Sequence, residues 1–333
     1  MRHKPEVSVI IVNWNGVDLL RKCLESLRQQ IYQHFEIIIV DNASTDGSTD
    51  FVERQVPEAK LLRLARNRGF AGGNIEGLKA AQGDYIALLN NDTVAAPEWL
   101  HELVKAMEED PRVGICASKL IMHHQPDRID SAGDGCVTSG HGFKQGNREA
   151  GSNYSRQQYV FGACAAAALY RREMIDDIGF LDEDFFINCE DTDLNFRAQL
   201  MGWKCLFVPT AVVVHKVSST LGQMGNLSVY YLSRNEEFVW AKNLPARLMI
   251  RYLHHKLIQE LGGMAYFCIR LGKWRPYLRG KWDAMRMLPK VILKRKEIQL
   301  RKRVDHHYLE TILTPIFQKR LLMNRLKRLL SFH

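Results

Sequence analysis

Along the first two-thirds of the chain, apolar residues switch between two periods. Residues 8–12 (SVIIV) and 37–40 (IIIV) are short β-branched runs, the pattern of strands buried on both faces. Between them Leu19, Leu20, Cys23, Leu24 and Leu27 return at helical spacing. Residues 85–89 (YIALL) predict a further strand, with Pro97 at the first turn of the helix that follows and Pro111 bounding its far end. This alternation predicts an α/β fold, a mainly parallel central sheet flanked by helices. From about Val229 the pattern turns helical, with helices predicted over 248–257, 285–303 and 307–330. The last places Leu309, Ile312, Leu313, Ile316 and Phe317 on one face. The chain therefore divides into an α/β domain, 1–228, and a helical region, 229–333.

Sheets of this kind bind ligands at the carboxyl ends of their strands. Each predicted strand here runs into a polar, turn-rich segment: NWNG at 13–16, DNASTDGS at 41–48, RNRGFAGGN at 66–74 and NNDT at 90–93. Together these loops predict one continuous polar rim.

Composition changes the picture in three ways. With 333 residues, 46% hydrophobic and 25% charged, the chain is an ordinary globular one. Its longest charge-free stretch, residues 217–233, is crowded with Ser, Thr, Gln and Asn and falls short of the roughly 20 apolar residues a spanning helix needs. The N-terminus enters an apolar run of strand length without a signal-type cleavage site. The seven cysteines are odd in number and form no CxxC, which disfavours a disulfide framework or zinc site and points to a reducing, cytoplasmic setting. Charge is unevenly shared: residues 241–333 hold 22 Lys/Arg against 5 Asp/Glu, and the remainder 24 against 32. The basic region mixes its charges with Tyr252, Trp274, Tyr277 and Trp282 and carries no nucleic-acid motif, so it predicts peripheral contact with an anionic bilayer rather than a nucleic acid, the alternative being a solvated face that only packs against the α/β domain.

Candidate chemistry sits on the rim. Asp41 can accept hydrogen bonds from a nucleoside or simply cap its turn. The glycines of residues 69–77 let backbone approach a ligand, but they do not fit GxGxxG, and no GxxxxGK[ST] loop exists. Asp92, beside Asn90 and Asn91, offers oxygen ligands to a hard divalent cation or starts a turn. Glu190, Asp191 and Asp193 put three carboxylates in four residues at a predicted helix start. They either serve the helix dipole or supply a partly desolvated general base. His215 closes the apolar run 211–214, as a structural residue or as a ligand paired with Asp92.

The ordered set SVIIVNWNG, VDNASTDGS, NRGFAGGN, LLNNDT, FFINCEDTDLNFR and VVVHKVSS resembles family 2 glycosyltransferases of the GT-A fold, within them the rhamnosyltransferase-like enzymes of bacterial cell-surface polysaccharide synthesis. The resemblance covers residues 7–235. It implies an inverting transfer of a sugar from a nucleotide diphosphate donor to a hydroxyl of a lipid-linked or polysaccharide acceptor. Asn13, Asn15, Asp41, Arg66, Asn67, Asn74, Asn91 and Asp92 would line the donor pocket, with Asp41 on the base. Asp92 and His215 would hold Mg²⁺ or Mn²⁺, Asp191 would be the catalytic base, and Glu190 would orient it or bind acceptor. The first position of the family's acidic metal motif is Asn90 here, a neutral ligand that rhamnosyltransferase-like members often have. The donor implied is dTDP-rhamnose, with a UDP-hexose as the alternative. A non-catalytic nucleotide-sugar binder is a further reading, disfavoured by intact Asp92, Asp191 and His215. A lipid-linked acceptor would hold the protein at the inner face of the cell membrane.

Overall fold

A computed structural model describes residues 4–216 and 225–318. The sheet begins β1 (Val7–Asn13), β2 (Phe35–Asp41), β3 (Lys60–Arg63) and β4 (Tyr85–Leu89), joined by helices α1 (Val17–Arg28), α2 (Ser48–Gln55) and α3 (Gly69–Ala80). β1 pairs in parallel with both β2 and β4, and β2 with β3, so the carboxyl ends of all four strands lie on one side. The expected β-branched runs form β1 and β2 for the expected reason. Val9 and Ile11 pack into one core with Leu20, Cys23, Leu24 and Leu27 of α1, while Ile10 packs into the other with Ile38, Val40 and Ala71.

Beyond β4 come β5 (Thr93–Ala95), α4 (Trp99–Glu109), β6 (Val113–Met122), β7 (Gln125–Ala132), β8 (Asp134–Cys136), β9 (Gly142–Lys144), β10 (Gln158–Val160), β11 (Ala167–Arg171), α5 (Arg172–Ile178), α6 (Glu190–Leu200) and β12 (Lys204–His215). The sheet order is β10-β12-β6-β11-β4-β1-β2-β3. β11 is antiparallel to its neighbours β4 and β6, and β10 to β12; the other six strands on this path share one direction. The mainly parallel sheet flanked by helices is therefore present. α4 starts at Trp99 rather than at Pro97, which occupies the turn before it, because the Ala96 carbonyl takes its hydrogen bond from Trp99 N (3.0 Å).

The C-terminal part contains α7 (Asn226–Asn243), α8 (Ala246–Arg251), α9 (Leu253–Met264), a π-helical turn (Ala265–Arg270), α10 (Trp274–Arg301) and α11 (His306–Ile312). α7 thus begins just before the boundary read at Val229. The helix expected over 248–257 is two helices meeting at Tyr252, and the one expected from Met285 starts earlier, at Trp274. The helix expected over 307–330 ends at Ile312. Pro315 biases Thr314 away from helical geometry, and Thr314 instead bridges Val137. Residues 319–330 of that expectation lie outside the described residues. No helix among the described residues is long and apolar enough to cross a membrane.

Candidate active site

The four strand ends form the rim read from the sequence. Asn13, fully buried, accepts from Asn91 Nδ2 (2.7 Å) and donates to Ser44 Oγ (3.3 Å), tying the loops after β1, β4 and β2. Asn15 accepts from Thr45 N (2.8 Å) at a left-handed φ of 49°. Asp41 is buried and takes one bond, from Ser44 N (3.0 Å) through Oδ2, while its buried Oδ1 has no partner. A buried carboxylate oxygen with free lone pairs at a strand end is an acceptor waiting for a donor. Arg66 is exposed, and Asn67 Oδ1 accepts from Gly69 N (2.7 Å). Asn74 turns back into its own helix, donating to Phe70 O (2.9 Å).

The glycines of α3 divide by role. A Cβ on Gly73 or Gly77 would run into Val12 (2.7 Å) or Ile10 (2.4 Å), so these two let the helix lie close against β1 and are not turned to a ligand. Gly69 is different: at φ +70° its α-carbon sits against the backbone of Phe186, whose carbonyl accepts from Ala71 N (3.1 Å). The loop ahead of α6 is thereby seated on the N-terminus of α3, and Arg68–Glu183 (2.9 Å) crosses the same junction.

That loop is strained. Phe186, Asn188 and Cys189 all have positive φ (64°, 68° and 67°), a region that non-glycine residues rarely enter. It is held from α7, where fully buried Asn235 donates through Nδ2 to the carbonyls of Phe185, Ile187 and Asn188 (2.9, 2.8 and 2.7 Å) and Arg234 reaches Asp184 O and Phe185 O. The strain delivers Glu190 and Asp191 at the first turn of α6, as expected. Of the three carboxylates there, Asp193 is structural: fully buried, it is paired with Arg197 (2.9 Å), Lys242 (2.9 Å) and Asn243 (2.8 Å). Asp191 stays partly exposed and accepts from Thr192 N (2.7 Å) and Ala165 N (3.4 Å). Glu190 is buried, and its Oε2 is unpartnered. Burial, then the charge of Asp191, pushes the Glu190 carboxyl up to about 8. Burial likewise raises Asp191.

Asp92 and His215 meet because β5 pairs antiparallel with the end of β12, setting Thr93 opposite His215. His215 Nε2 lies 3.3 Å from Asp92 Oδ1, and its Nδ1 lies 2.8 Å from Asp130 Oδ2. Burial would lower the imidazolium, but hydrogen bonds to Asp130 and Asp92 outweigh it and the net shift is upward. Burial would raise Asp130, but His215 and Lys144, 2.7 Å from Asp130, bring it down to about 2. A carboxylate on one imidazole nitrogen with the other facing a carboxylate oxygen is the arrangement that orients histidine metal ligands.

Asp130, Lys144, Asp134 and Cys164 lie outside the motifs that the sequence displays. β8–β9 pairing sets Asp134 opposite Lys144, and Asp134, Cys164 and Asp191 offer ligand atoms all within 4.8 Å of one another. This second cluster suits a hard cation poorly. Burial drives the Cys164 thiol pKa well up, and Lys144 already supplies positive charge there. Burial and then the charge of Asp191 also raise Asp134. The polar chain Asp92–His215–Asp130–Lys144 ends at the strand partner of Asp134, whose carboxylate lies within 4.8 Å of a ligand atom of Asp191. Three aspartates near a glycine in DRIDSAGDG were the only local signal for this part.

Comparison with known proteins bears on the family and the fold. Residues 8–179 match the model of glycosyl transferase family 2. The uncharacterized protein y4gI of Sinorhizobium fredii is 31% identical over 236 residues, 67% of this chain but 26% of its own length. The O-antigen biosynthesis protein RfbC of Myxococcus xanthus is 28% identical over 233 residues, 66% of this chain and 18% of its own. The chain thus spans about a quarter or less of these two relatives. Among solved structures, the mannosyltransferase PcManGT from Pyrobaculum calidifontis, in complex with GDP-Man and Mn²⁺, superposes with a TM-score of 0.53 at 18% identity, covering 100% of this chain and 89% of that one. TarS 1–349 from S. aureus gives 0.54 at 17%, covering 87% and 83%. At these identities the likeness is one of fold, that of GT-A glycosyltransferases. With the family model covering more than half its length, the chain belongs to glycosyl transferase family 2.

Proposed function

We propose that this chain is an inverting glycosyltransferase of bacterial cell-surface glycan synthesis, moving a sugar from a nucleotide diphosphate to an acceptor hydroxyl. The observation that carries the reading is the seating of the strained 186–189 loop on the N-terminus of α3. Phe186 O accepts from Ala71 N there, which supports reading Asp191, five residues on, as facing the strand-end rim. Asp41, through its unpartnered Oδ1, takes a donor from the nucleoside base. Asn13, Asn91, Asn15, Arg66 and Asn67 shape the remaining donor pocket; Asn74, engaged with Phe70, acts through the position of its helix.

Asp92 and His215 fit a divalent cation, Mg²⁺ or Mn²⁺, as a hard carboxylate and an imidazole whose far nitrogen is fixed by Asp130. When bound, the ion supplies positive charge to the departing diphosphate. Asp191 takes the proton of the acceptor hydroxyl as its oxygen forms the new bond to the anomeric carbon. The bond from that carbon to the diphosphate oxygen breaks with its electron pair leaving on phosphate. Attack from the side opposite the leaving group inverts the centre. Glu190, holding its proton near neutrality, serves as a neutral donor toward the acceptor.

By likeness to GT-A enzymes such as the GDP-mannose-bound PcManGT and to an O-antigen protein, the donor is a nucleotide sugar and the product a surface glycan. The motif set favours dTDP-rhamnose, and Asn90 in place of an acidic ligand agrees with that choice. We assign residues 1–228 to catalysis and the basic region 229–333 to a lipid-linked acceptor's membrane, at the cytoplasmic face. The direct test is Asp191→Asn assayed with dTDP-rhamnose and with UDP-hexoses. Transfer should fall by about 10²–10⁴ while donor binding, followed by calorimetry, is unchanged. Full turnover by the variant would reject the base assignment.

A further inference from the structure

Helix α9 is built inside out. Its apolar side chains Leu253, Leu257, Ile258, Leu261 and Met264 are all exposed, and its one buried residue is Lys256. Lys256 pairs inward with Glu237 of α7 (2.9 Å) and Glu260 (2.6 Å), and Lys281 of α10 closes the same charge network. α10 continues the theme. Tyr277, Gly280, Ala284, Val291 and Ile298 turn inward at three-, four- and seven-residue spacing, while Leu278, Trp282, Met285, Ile292 and Leu300 stand exposed on another stripe. Among the described residues, 15 of the 20 exposed large hydrophobic side chains fall between Ile250 and Leu300. Water is the wrong solvent for such a face, which is far larger than the scattered apolar residues of ordinary surfaces.

The charge around the stripe identifies the occupant. Residues 246–301 hold 14 Lys/Arg against 3 Asp/Glu, and Arg247, Arg275, Arg279, Arg286 and Lys296 are exposed there. A second copy of this chain would bring two strongly basic faces together. An anionic bilayer instead offers phosphates to the arginines and an apolar boundary to the leucines, and half-exposed Trp274 and Trp282 suit that boundary. No described helix can span the bilayer, so the contact lies along its surface.

We infer that the exposed faces of α8, α9 and α10 form a docking surface for an anionic lipid bilayer, entered by the α9 and α10 leucines and flanked by arginines. The inference rests on the reading above only in supposing that the acceptor is held at a membrane. The test is sedimentation of the full chain with phosphatidylcholine vesicles, with and without phosphatidylglycerol. Wild type should bind the anionic vesicles in preference. Leu257→Gln/Leu261→Gln should bind them on the order of tenfold or more weakly, since each leucine withdrawn from an apolar medium is worth about that factor. Arg275→Gln/Arg286→Gln should lose most of the preference for anionic lipid. Equal sedimentation by wild type and the leucine variant, or no preference for phosphatidylglycerol, overturns the proposal. A dimer that the leucine variant abolishes, without vesicle binding by wild type, overturns it in favour of self-association. Donor binding of each variant, measured by calorimetry, reports folding. Because vesicle binding needs no sugar transfer, failure of the surface and failure of the enzymatic reading are separate results.

Discussion

At the scale of single residues, the site is governed by which buried carboxylates have partners. Glu190 has none for Oε2, and its pKa in the folded chain, about 8, stands above the ordinary value of 4.5. The native state therefore binds this proton more tightly than the unfolded chain. The contribution to stability is complete below about pH 4.5 and is lost as pH rises through about 8. Glu190→Gln, which keeps the shape without the titration, should gain Tm relative to wild type as pH rises from about 5 to about 9. A pH-independent Tm difference would reject a protonated Glu190. Transfer should also weaken on acidification above the ordinary carboxylate range, because raised Asp191 must lose its proton to act as a base. Asp130 touches neither donor nor acceptor in this reading; it positions His215. Asp130→Asn should weaken Mn²⁺ affinity by about 10–100-fold, read by titration without any sugar present. Unchanged affinity would remove Asp130 from that role.

At the scale of elements, two contacts position the chemistry: α3 against β1 and the 186–189 loop against α3. The first explains Gly73 and Gly77, and the second Gly69. A Cβ on Gly69 would sit 2.3 Å from the Phe186 carbonyl oxygen, at a φ of +70°. Gly69→Ala should therefore cost about 1–2 kcal/mol from the left-handed backbone alone, and more from displacing the loop, measured by urea unfolding. Transfer should fall with it, since Asp191 follows that loop. An alanine variant of wild-type stability and activity would show the junction to be slack. The acidic cluster at 190–193 illustrates what local pattern leaves open. Dipole, base and core anchor are all sound roles for a carboxylate in a first turn, and burial assigns Asp193 to the anchor while Asp191 keeps its exposure.

At the scale of the whole molecule, the helical region shares a core with the sheet domain. Phe185, Phe196 and Leu200 of the α6 side pack with Leu244, Leu248, Val291 and Leu309, and Asp177 of α5 pairs with Arg301 and Arg303. A chain ended at Asn243 would leave that cluster open. It should bind hydrophobic dye and lose cooperative thermal unfolding, whereas a cooperative melt near the wild-type Tm would show the shared core to be dispensable. The same packing means the basic helices and the loop ahead of α6 are one piece. Arg234 and Asn235 of α7 clamp the loop that carries Asp191, while α7's neighbours α9 and α10 present the exposed apolar stripes.

The alternation of strand and helix, the common side of the four polar loops and the charge contrast between the two regions were legible in the chain because each is a local signal. Side-chain alternation and helical spacing follow from backbone geometry over a few residues, and charge is a count. Which distant strands pair, and in what register, is not local. The β5–β12 pairing that sets His215 against Asp92, the β7 position of Asp130 and the bridge from Lys144 to Asp130 depend on long-range packing of the whole sheet. Only the folded molecule separates the carboxylate that anchors, Asp193, from Asp191, left partly exposed, because burial and partners belong to the three-dimensional neighbourhood, not to residue type.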